Sequence, residues 1–118
     1  MVSIIPLAAF SDNYVWAIRA GDRVVVVDPG DDEPVAGYLA RERATLAAIL
    51  VTHHHPDHTG GIAELKRRYT CRVVAPHDKK AAIADVDLRV KEGDRVMVGG
   101  LTARVLETPG HTLDHISY

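Results

Sequence analysis

Short apolar runs alternate with turn-forming residues at the start of the chain. Val2–Leu7, Tyr14–Ile18 and Arg23–Val27 are apolar and β-prone, which predicts three strands. Gly21–Asp22, between the second and third runs, is a tight-turn signal and predicts a hairpin. The third run is almost unbroken valine, so we expect its strand to be buried on both faces of a sheet.

Helical periodicity begins after the third strand. Glu33–Arg43 carries an apolar stripe at helical spacing, with Asp32 as the expected N-cap and Pro34 in the first turn, where proline is tolerated. A second helix is predicted at Gly61–Tyr69. Further strands are predicted at Leu46–Val51, Arg72–Ala75, Leu88–Val90, Arg95–Val98, Leu101–Glu107 and Ile116–Tyr118. The mixture of strands and helices predicts an α/β (α+β) chain.

Length and composition narrow the class of protein. The 118 residues allow at most one small domain, residues 1–118, and 47% hydrophobic with 25% charged residues is ordinary for a globular protein. A net charge of −2 argues against a nucleic-acid partner. No apolar stretch is long enough to span a membrane, no signal pattern opens the chain, and Cys71 has no partner for an internal disulfide. We therefore expect a cytoplasmic protein without a membrane partner.

Most of the potential metal ligands lie in one segment, Thr52–His58, which follows an apolar strand and is called the histidine loop. Residues two apart in an extended chain share a face, so His53 and His55 can reach one metal together. Pro56 biases His55 toward an extended backbone, and Asp57 and His58 follow the bend, where they can face a second metal. The pattern H-x-H-x-D-H therefore predicts two adjacent metal half-sites. The alternative is a solvent-exposed, histidine-rich turn.

Two further residues are candidates for this site. His111 follows Pro109-Gly110 after another strand, and we predict that it is a third ligand to the metal held by His53 and His55. A surface loop histidine is the alternative. Asp28 ends the valine strand, where it is either a turn or cap residue or a group that holds a ligand histidine.

Four stretches of the chain together resemble the glyoxalase II family, the hydroxyacylglutathione hydrolases, within the metallo-β-lactamase fold superfamily. H-x-H-x-D-H alone is typical of the superfamily. The Ser-Asp-Asn-Tyr opening and the Asp-Pro-Gly-Asp turn narrow the resemblance to glyoxalase II. The four stretches are Phe10–Trp16, Val27–Asp31, Thr52–Gly61 and Thr108–His115.

The resemblance implies an αββα sandwich with a dinuclear metal site at one edge. It implies hydrolysis of the thioester S-D-lactoylglutathione to D-lactate and glutathione, a step of methylglyoxal detoxification. Carried over, His53, His55 and His111 would hold one metal, and Asp57 and His58 would help to hold the other. Asp57 would also act in catalysis by orienting the nucleophile. The family uses zinc, two per complete site, and also accommodates iron or manganese.

The chain departs from the family in its extent. The family continues past Tyr118 with a bridging aspartate, a further histidine and a helical region that grips glutathione. We therefore expect the N-terminal half of the sandwich, with one sheet face bare, and self-association or a complementing polypeptide as partner. Two alternatives stay open: a mononuclear iron glutathione persulfide dioxygenase, and an inactive metal-binding fragment.

Overall fold

A mixed β-sheet with helices on one face forms the centre of the protein. The computed structural model describes residues 2–10, 13–77, 83, 85–108 and 116–118. The strands are β1 Val2–Ala9, β2 Asn13–Ala20, β3 Arg23–Val27, β4 Thr45–Leu50, β5 Arg72–Pro76, β6 Leu88–Val90, β7 Arg95–Val98, β8 Leu101–Arg104, β9 Leu106–Glu107 and β10 Ile116–Ser117. The helices are α1 Glu33–Glu42, α2 Pro56–Thr59 and α3 Ile62–Arg68.

Within the described residues, six strands form one sheet in the order β1-β2-β3-β4-β5-β6. The first three are antiparallel neighbours, and the predicted β2–β3 hairpin is confirmed by the pairing of Ala20 with Arg23. From β3 to β6 the strands are parallel, because α1 and α3 provide the crossovers β3–β4 and β4–β5. The α/β class expected from the sequence is therefore confirmed.

The valines of β3 lie at the centre of the sheet and separate two apolar layers. Val24 and Val26 pack into the layer beneath the helices, whereas Val25 faces the opposite layer, and each is at most 1% exposed. Successive residues of a strand point to opposite faces, so burial of all three confirms a strand covered on both sides. The helix side is completed by the predicted stripe of α1, Val35, Tyr38 and Leu39, and by Ile62 and Leu65 of α3.

The opposite face of the sheet is covered over only part of its width. The β7–β8 hairpin and β10 pack against β3–β6 through Val96, Val98 and Ile116. The sequence predicted one bare sheet face; among the described residues, that face is uncovered only at the β1–β2 end. There Val2, Ile4, Tyr14 and Trp16 lie on one face and are 45–66% exposed.

Three local expectations need correction. Asp32 occupies the N-cap position of α1 but makes no side-chain cap hydrogen bond; Oδ1 of the neighbouring Asp31 accepts the Glu33 N–H instead, at 3.1 Å. Asp57 and His58 lie in the one-turn helix α2 instead of an irregular loop. The strand expected at Leu101–Glu107 is split at Val105, whose N–H and C=O bond to the 93–94 turn. Within the described residues, no helix is long and apolar enough to cross a membrane.

Candidate metal centre

The histidine loop lies at the carboxyl edge of two parallel strands. β3 ends at Val27 and β4 at Leu50, and these two residues are paired in the sheet. The segments that follow them are therefore neighbours, joined where the Asp28 N–H donates to the Leu50 carbonyl at 2.9 Å. Asp28 and the histidine loop meet because the chain leaves two adjacent strands at the same edge.

Asp28 is a buried carboxylate that holds the histidine loop. It is 7% exposed and has a positive φ of 56°, a conformation that Asp tolerates better than most residues. Its Oδ1 accepts the Thr52 N–H at 2.7 Å, and its Oδ2 accepts the Thr52 hydroxyl at 2.5 Å. Oδ2 also lies 3.2 Å from Nδ1 of His58. Asp28 was expected to be either a turn or cap residue or a group that holds a predicted ligand histidine. These contacts favour the second role.

The hydroxyl of Thr52 determines the tautomer of His53. Nδ1 of His53 lies 2.8 Å from Oγ1 of Thr52. The Thr52 hydroxyl has one proton, and it donates that proton to the carboxylate of Asp28. Oγ1 of Thr52 can therefore only accept from His53, so the imidazole proton lies on Nδ1. In the neutral imidazole, Nε2 then carries the lone pair that a metal requires, and this atom is buried.

Three donor side chains converge at the centre of the site. Ligand atoms of Asp28, His53 and His58 all lie within 4.8 Å of one another. The rings of His53 and His58 are 4.3 Å apart between centroids, and those of His53 and His55 are 5.0 Å apart. Imidazoles with one carboxylate are a donor set that suits zinc and other divalent transition metals. The residues present therefore fit a metal ion, and this type of donor set does not select one divalent transition metal over another.

The second half of the predicted motif lies nearer to solvent. His55 has the extended backbone expected before proline, with φ −59° and ψ 139°. Asp57 has a side chain that is 59% exposed, and its Oδ2 lies 3.6 Å from Nε2 of His58. The structure thus brings His53, His55, Asp57 and His58 into one neighbourhood. Their assignment as ligands stays a prediction.

His58 is surrounded by negative charge. Its hydrogen bond to Asp28 raises the pKa of the imidazole above its ordinary value, and the charges of Asp28 and Asp57 act in the same direction. Burial opposes this shift. The carboxylates of Asp28 and Asp57 favour the protonated form of His58. The same negative charge would favour a metal cation bound at this imidazole instead of the proton.

Other sequence expectations have different outcomes here. His111 lies outside the described residues, so its role as a third ligand stays a prediction. His77 is exposed, and its Nε2 lies 3.5 Å from Oε1 of Glu107. The sequence analysis assigned no function to Thr52 or Asn13, although both lie in stretches that resemble glyoxalase II. The position of Thr52 directly before His53, the first predicted ligand, was the available signal.

The fold and the site together define an α/β protein with a histidine–carboxylate metal centre at the carboxyl edge of its sheet. The sequence model of the metallo-beta-lactamase superfamily matches residues 9–118. This chain belongs to the metallo-beta-lactamase superfamily.

Curated relatives of this chain within the superfamily are named for one enzyme activity. A hydroxyacylglutathione hydrolase of Rhodopseudomonas palustris (strain BisB5) is 56% identical over 99% of this chain and 46% of its own length. One from Nitrobacter hamburgensis is 66% identical over 92% of this chain and 43% of its own length. The chain therefore spans less than half the length of these curated relatives.

Solved structures agree on the fold. The B3 metallo-beta-lactamase BLEG-1 has a TM-score of 0.84 at 25% identity, over 100% of this chain and 66% of its own. ETHE1 from Myxococcus xanthus has a TM-score of 0.78 at 30% identity, over 98% of this chain and 52% of its own. The metallo-β-lactamase fold expected from the sequence is confirmed.

Proposed function

We propose that this chain carries the metal-binding half-sites of a thioester hydrolase that converts S-D-lactoylglutathione to D-lactate and glutathione. The observation that carries the proposal is the 56% identity over 99% of the chain to a protein named hydroxyacylglutathione hydrolase. The grouping of His53, His55, Asp57 and His58 supports it, because imidazoles with a carboxylate are donors that fit a metal. The physiological context would be methylglyoxal detoxification, with a glutathione thioester as the small-molecule partner.

We assign the metal ligands as predicted: His53, His55 and His111 for one ion, Asp57 and His58 for the other. Zinc is the proposed metal, with iron or manganese as substitutes. A bound divalent metal supplies Lewis acidity toward the thioester carbonyl and lowers the pKa of water.

The chain's own residues prepare this chemistry. Asp28 and Thr52 hold His53 in the tautomer whose Nε2 can bind a cation. Asp57, with a largely exposed carboxylate, is the residue that we propose orients the attacking water. A thiolate is a good leaving group, so its departure requires little help from a strong general acid.

Three broader predictions belong with this proposal. Residues 1–118 would be the N-terminal portion of a longer hydrolase domain, which agrees with the 46% coverage of a relative. A complementing polypeptide or self-association would then supply the remaining ligands and the glutathione-binding region. A cytoplasmic location stays a prediction from the sequence.

The test combines metal content with turnover. The complete hydrolase, with its remaining ligands and glutathione-binding region, is loaded with zinc, and glutathione release from S-D-lactoylglutathione is followed with a thiol reagent. We expect metal-dependent turnover that a chelator and His55→Ala both abolish. His77→Ala is the matched control, because His77 is an exposed histidine outside the loop. Full activity of His55→Ala would contradict the assignment.

Other outcomes separate the alternatives. An iron-loaded chain that consumes oxygen on glutathione persulfide and spares the thioester would favour the dioxygenase. A chain that binds metal and shows neither reaction would favour the inactive metal-binding fragment. Metal content near two ions per chain would indicate that a partner supplies missing ligands, and content near one would indicate a mononuclear site.

A further inference from the structure

Asn13, the first residue of β2, links this strand to α2, and its side-chain amide makes two hydrogen bonds. Its Nδ2 donates to the backbone carbonyl of Asp57 at 3.0 Å, 44 residues along the chain. Its Oδ1 accepts the N–H of Tyr14 at 2.9 Å. The Tyr14 N–H can only donate and the Asp57 carbonyl can only accept, so the two contacts together determine which way the amide faces.

The same carbonyl lies against a glycine from a third segment. A Cβ placed on Gly30 would lie 1.9 Å from the carbonyl oxygen of Asp57 and 3.0 Å from Cε2 of Phe10. The absence of a side chain at Gly30 therefore allows the backbone of α2 to lie directly on the loop after β3. The N–H of Gly61 anchors the far end of this contact by donating to the Pro29 carbonyl at 2.8 Å.

These contacts hold the peptide that carries Asp57 without touching its carboxylate. α2 has only four residues and would be marginal by itself, so its orientation depends on what packs against it. Asn13 holds it from the start of β2, and Gly30 holds it from the loop after β3. Rotation of the Asp57 peptide would move the Asp57 carboxylate and the adjacent His58 imidazole together.

We propose that Asn13 is a positioning residue, whose amide sets the orientation of the Asp57–His58 half-site through the Asp57 carbonyl. Asn13 does not itself bind metal or substrate. This inference rests on the proposed function only in taking Asp57 and His58 as metal ligands. It predicts that metal affinity depends on the hydrogen bond that residue 13 donates to Asp57 more than on the one that it accepts from the Tyr14 N–H.

Asn13→Asp separates the two hydrogen bonds. The aspartate keeps an acceptor for the Tyr14 N–H but cannot donate to the Asp57 carbonyl. We expect Co²⁺ affinity, measured by competition with a chromophoric chelator, to fall about ten- to a hundredfold, the usual cost of losing a group that orients a ligand. The visible spectrum of bound cobalt should change as well. An added carboxylate alone would raise cation affinity, so a fall cannot come from its charge.

A metal-free measurement checks the hydrogen bond directly. The ¹³C shift of the Asp57 carbonyl should move in Asn13→Asp, while thermal stability stays close to that of the unchanged chain. Asn13→Ala, which removes the amide donor together with the acceptor, repeats the affinity measurement if the aspartate variant fails to fold. Asn13→Gln, which restores an amide donor, should recover part of the affinity.

The outcomes are decisive and distinct from those of the hydrolase test. Unchanged or higher cobalt affinity in the Asp variant, or in the Ala variant if the Asp variant fails to fold, would overturn the positioning role. An unchanged carbonyl shift, or an unmodified chain that binds no cobalt, would overturn it as well. Lower affinity with a shifted carbonyl supports it. A chain that shows this dependence but hydrolyses no thioester would refute the proposed function and leave the role of Asn13 standing.

Discussion

The hydroxyl of Thr52 donates a 2.5 Å hydrogen bond to Oδ2 of Asp28. Through this contact a carboxylate at the end of β3 reaches His53 at the end of β4, because the same hydroxyl oxygen lies 2.8 Å from Nδ1. Thr52→Val keeps the side-chain shape and removes the link. We expect metal affinity to fall about ten- to a hundredfold, because Nδ1 loses the acceptor that fixes its proton. Competition with a chromophoric chelator measures the change.

Thr102→Val is the matched control for this prediction. Thr102 is an exposed residue of β8, where valine has an equal or better strand propensity. Its metal affinity should equal that of the unchanged chain. Equal affinity in Thr52→Val would show that the threonine does not orient His53.

Asp28→Asn should impair the site by a different route. Asn tolerates the positive φ of this position, so the backbone is retained. If its oxygen keeps the Thr52 N–H, its NH₂ faces the Thr52 hydroxyl, which then donates to His53 Nδ1 and places the imidazole proton on Nε2. We expect a loss of metal affinity of about tenfold or more. The ¹⁵N shifts of the His53 ring report the tautomer, and a proton still on Nδ1 would refute this account.

The strands and the grouping of the loop histidines could be predicted from the sequence because they depend on local pattern. An unbroken valine run such as Val24–Val26 has one stable environment, a strand buried on both faces. The alternation of His53 and His55 similarly fixes a shared side of an extended chain. These features need no knowledge of distant residues.

The remaining features depend on contacts between distant segments. α2 forms where Gly30 and Gly61 allow it to lie close to the loop after β3. The sequence around each glycine does not show which distant segment it contacts. The break at Val105 follows from its pairing with the 93–94 turn. Asp31 and Asp32 are adjacent carboxylates, so pattern alone could not decide which one accepts the N–H of Glu33.

Two glycine substitutions should have opposite effects on stability. Gly30→Ala places a methyl group 1.9 Å from the Asp57 carbonyl oxygen, so the two loops must separate. We expect a loss of about 1–3 kcal/mol or more, the range for overpacked sites. Gly37→Ala lies inside α1, where the new methyl group would approach nothing closer than Arg41 at 3.7 Å. It should stabilise the protein by about 0.5–1 kcal/mol, because alanine loses less backbone entropy in a helix.

Urea unfolding of both glycine variants measures these changes. The midpoint should fall for Gly30→Ala and rise for Gly37→Ala, with the slope unchanged in each. A Gly30→Ala variant as stable as the unchanged chain would mean that the close contact between the loop after β3 and α2 is absent in solution.

The ion pair of Lys66 and Asp87 should make stability depend on pH at the acid end. Lys66 Nζ lies 2.6 Å from Oδ2 of Asp87, which also accepts the Val73 N–H at 2.8 Å. The hydrogen bond to Lys66, followed by that to Val73, lowers the pKa of Asp87 below its ordinary value of 3.8. The unfolded chain therefore takes up a proton first as the pH falls. This stabilisation is complete well above pH 3.8 and is lost as the pH falls below that value toward the folded pKa.

Asp87→Asn tests this dependence with Lys66→Met as its partner in a double-mutant cycle. Both side chains are partly exposed, so we expect a coupling of about 0.2–1 kcal/mol at pH 7, reduced by added salt. The coupling should vanish once the pH is below the folded pKa of Asp87, because the neutral acid no longer attracts the ammonium group. Urea unfolding across an acid pH series measures it. A coupling that persists undiminished at the lowest pH would show that packing of the Lys66 stem, and not its charge, links the two residues.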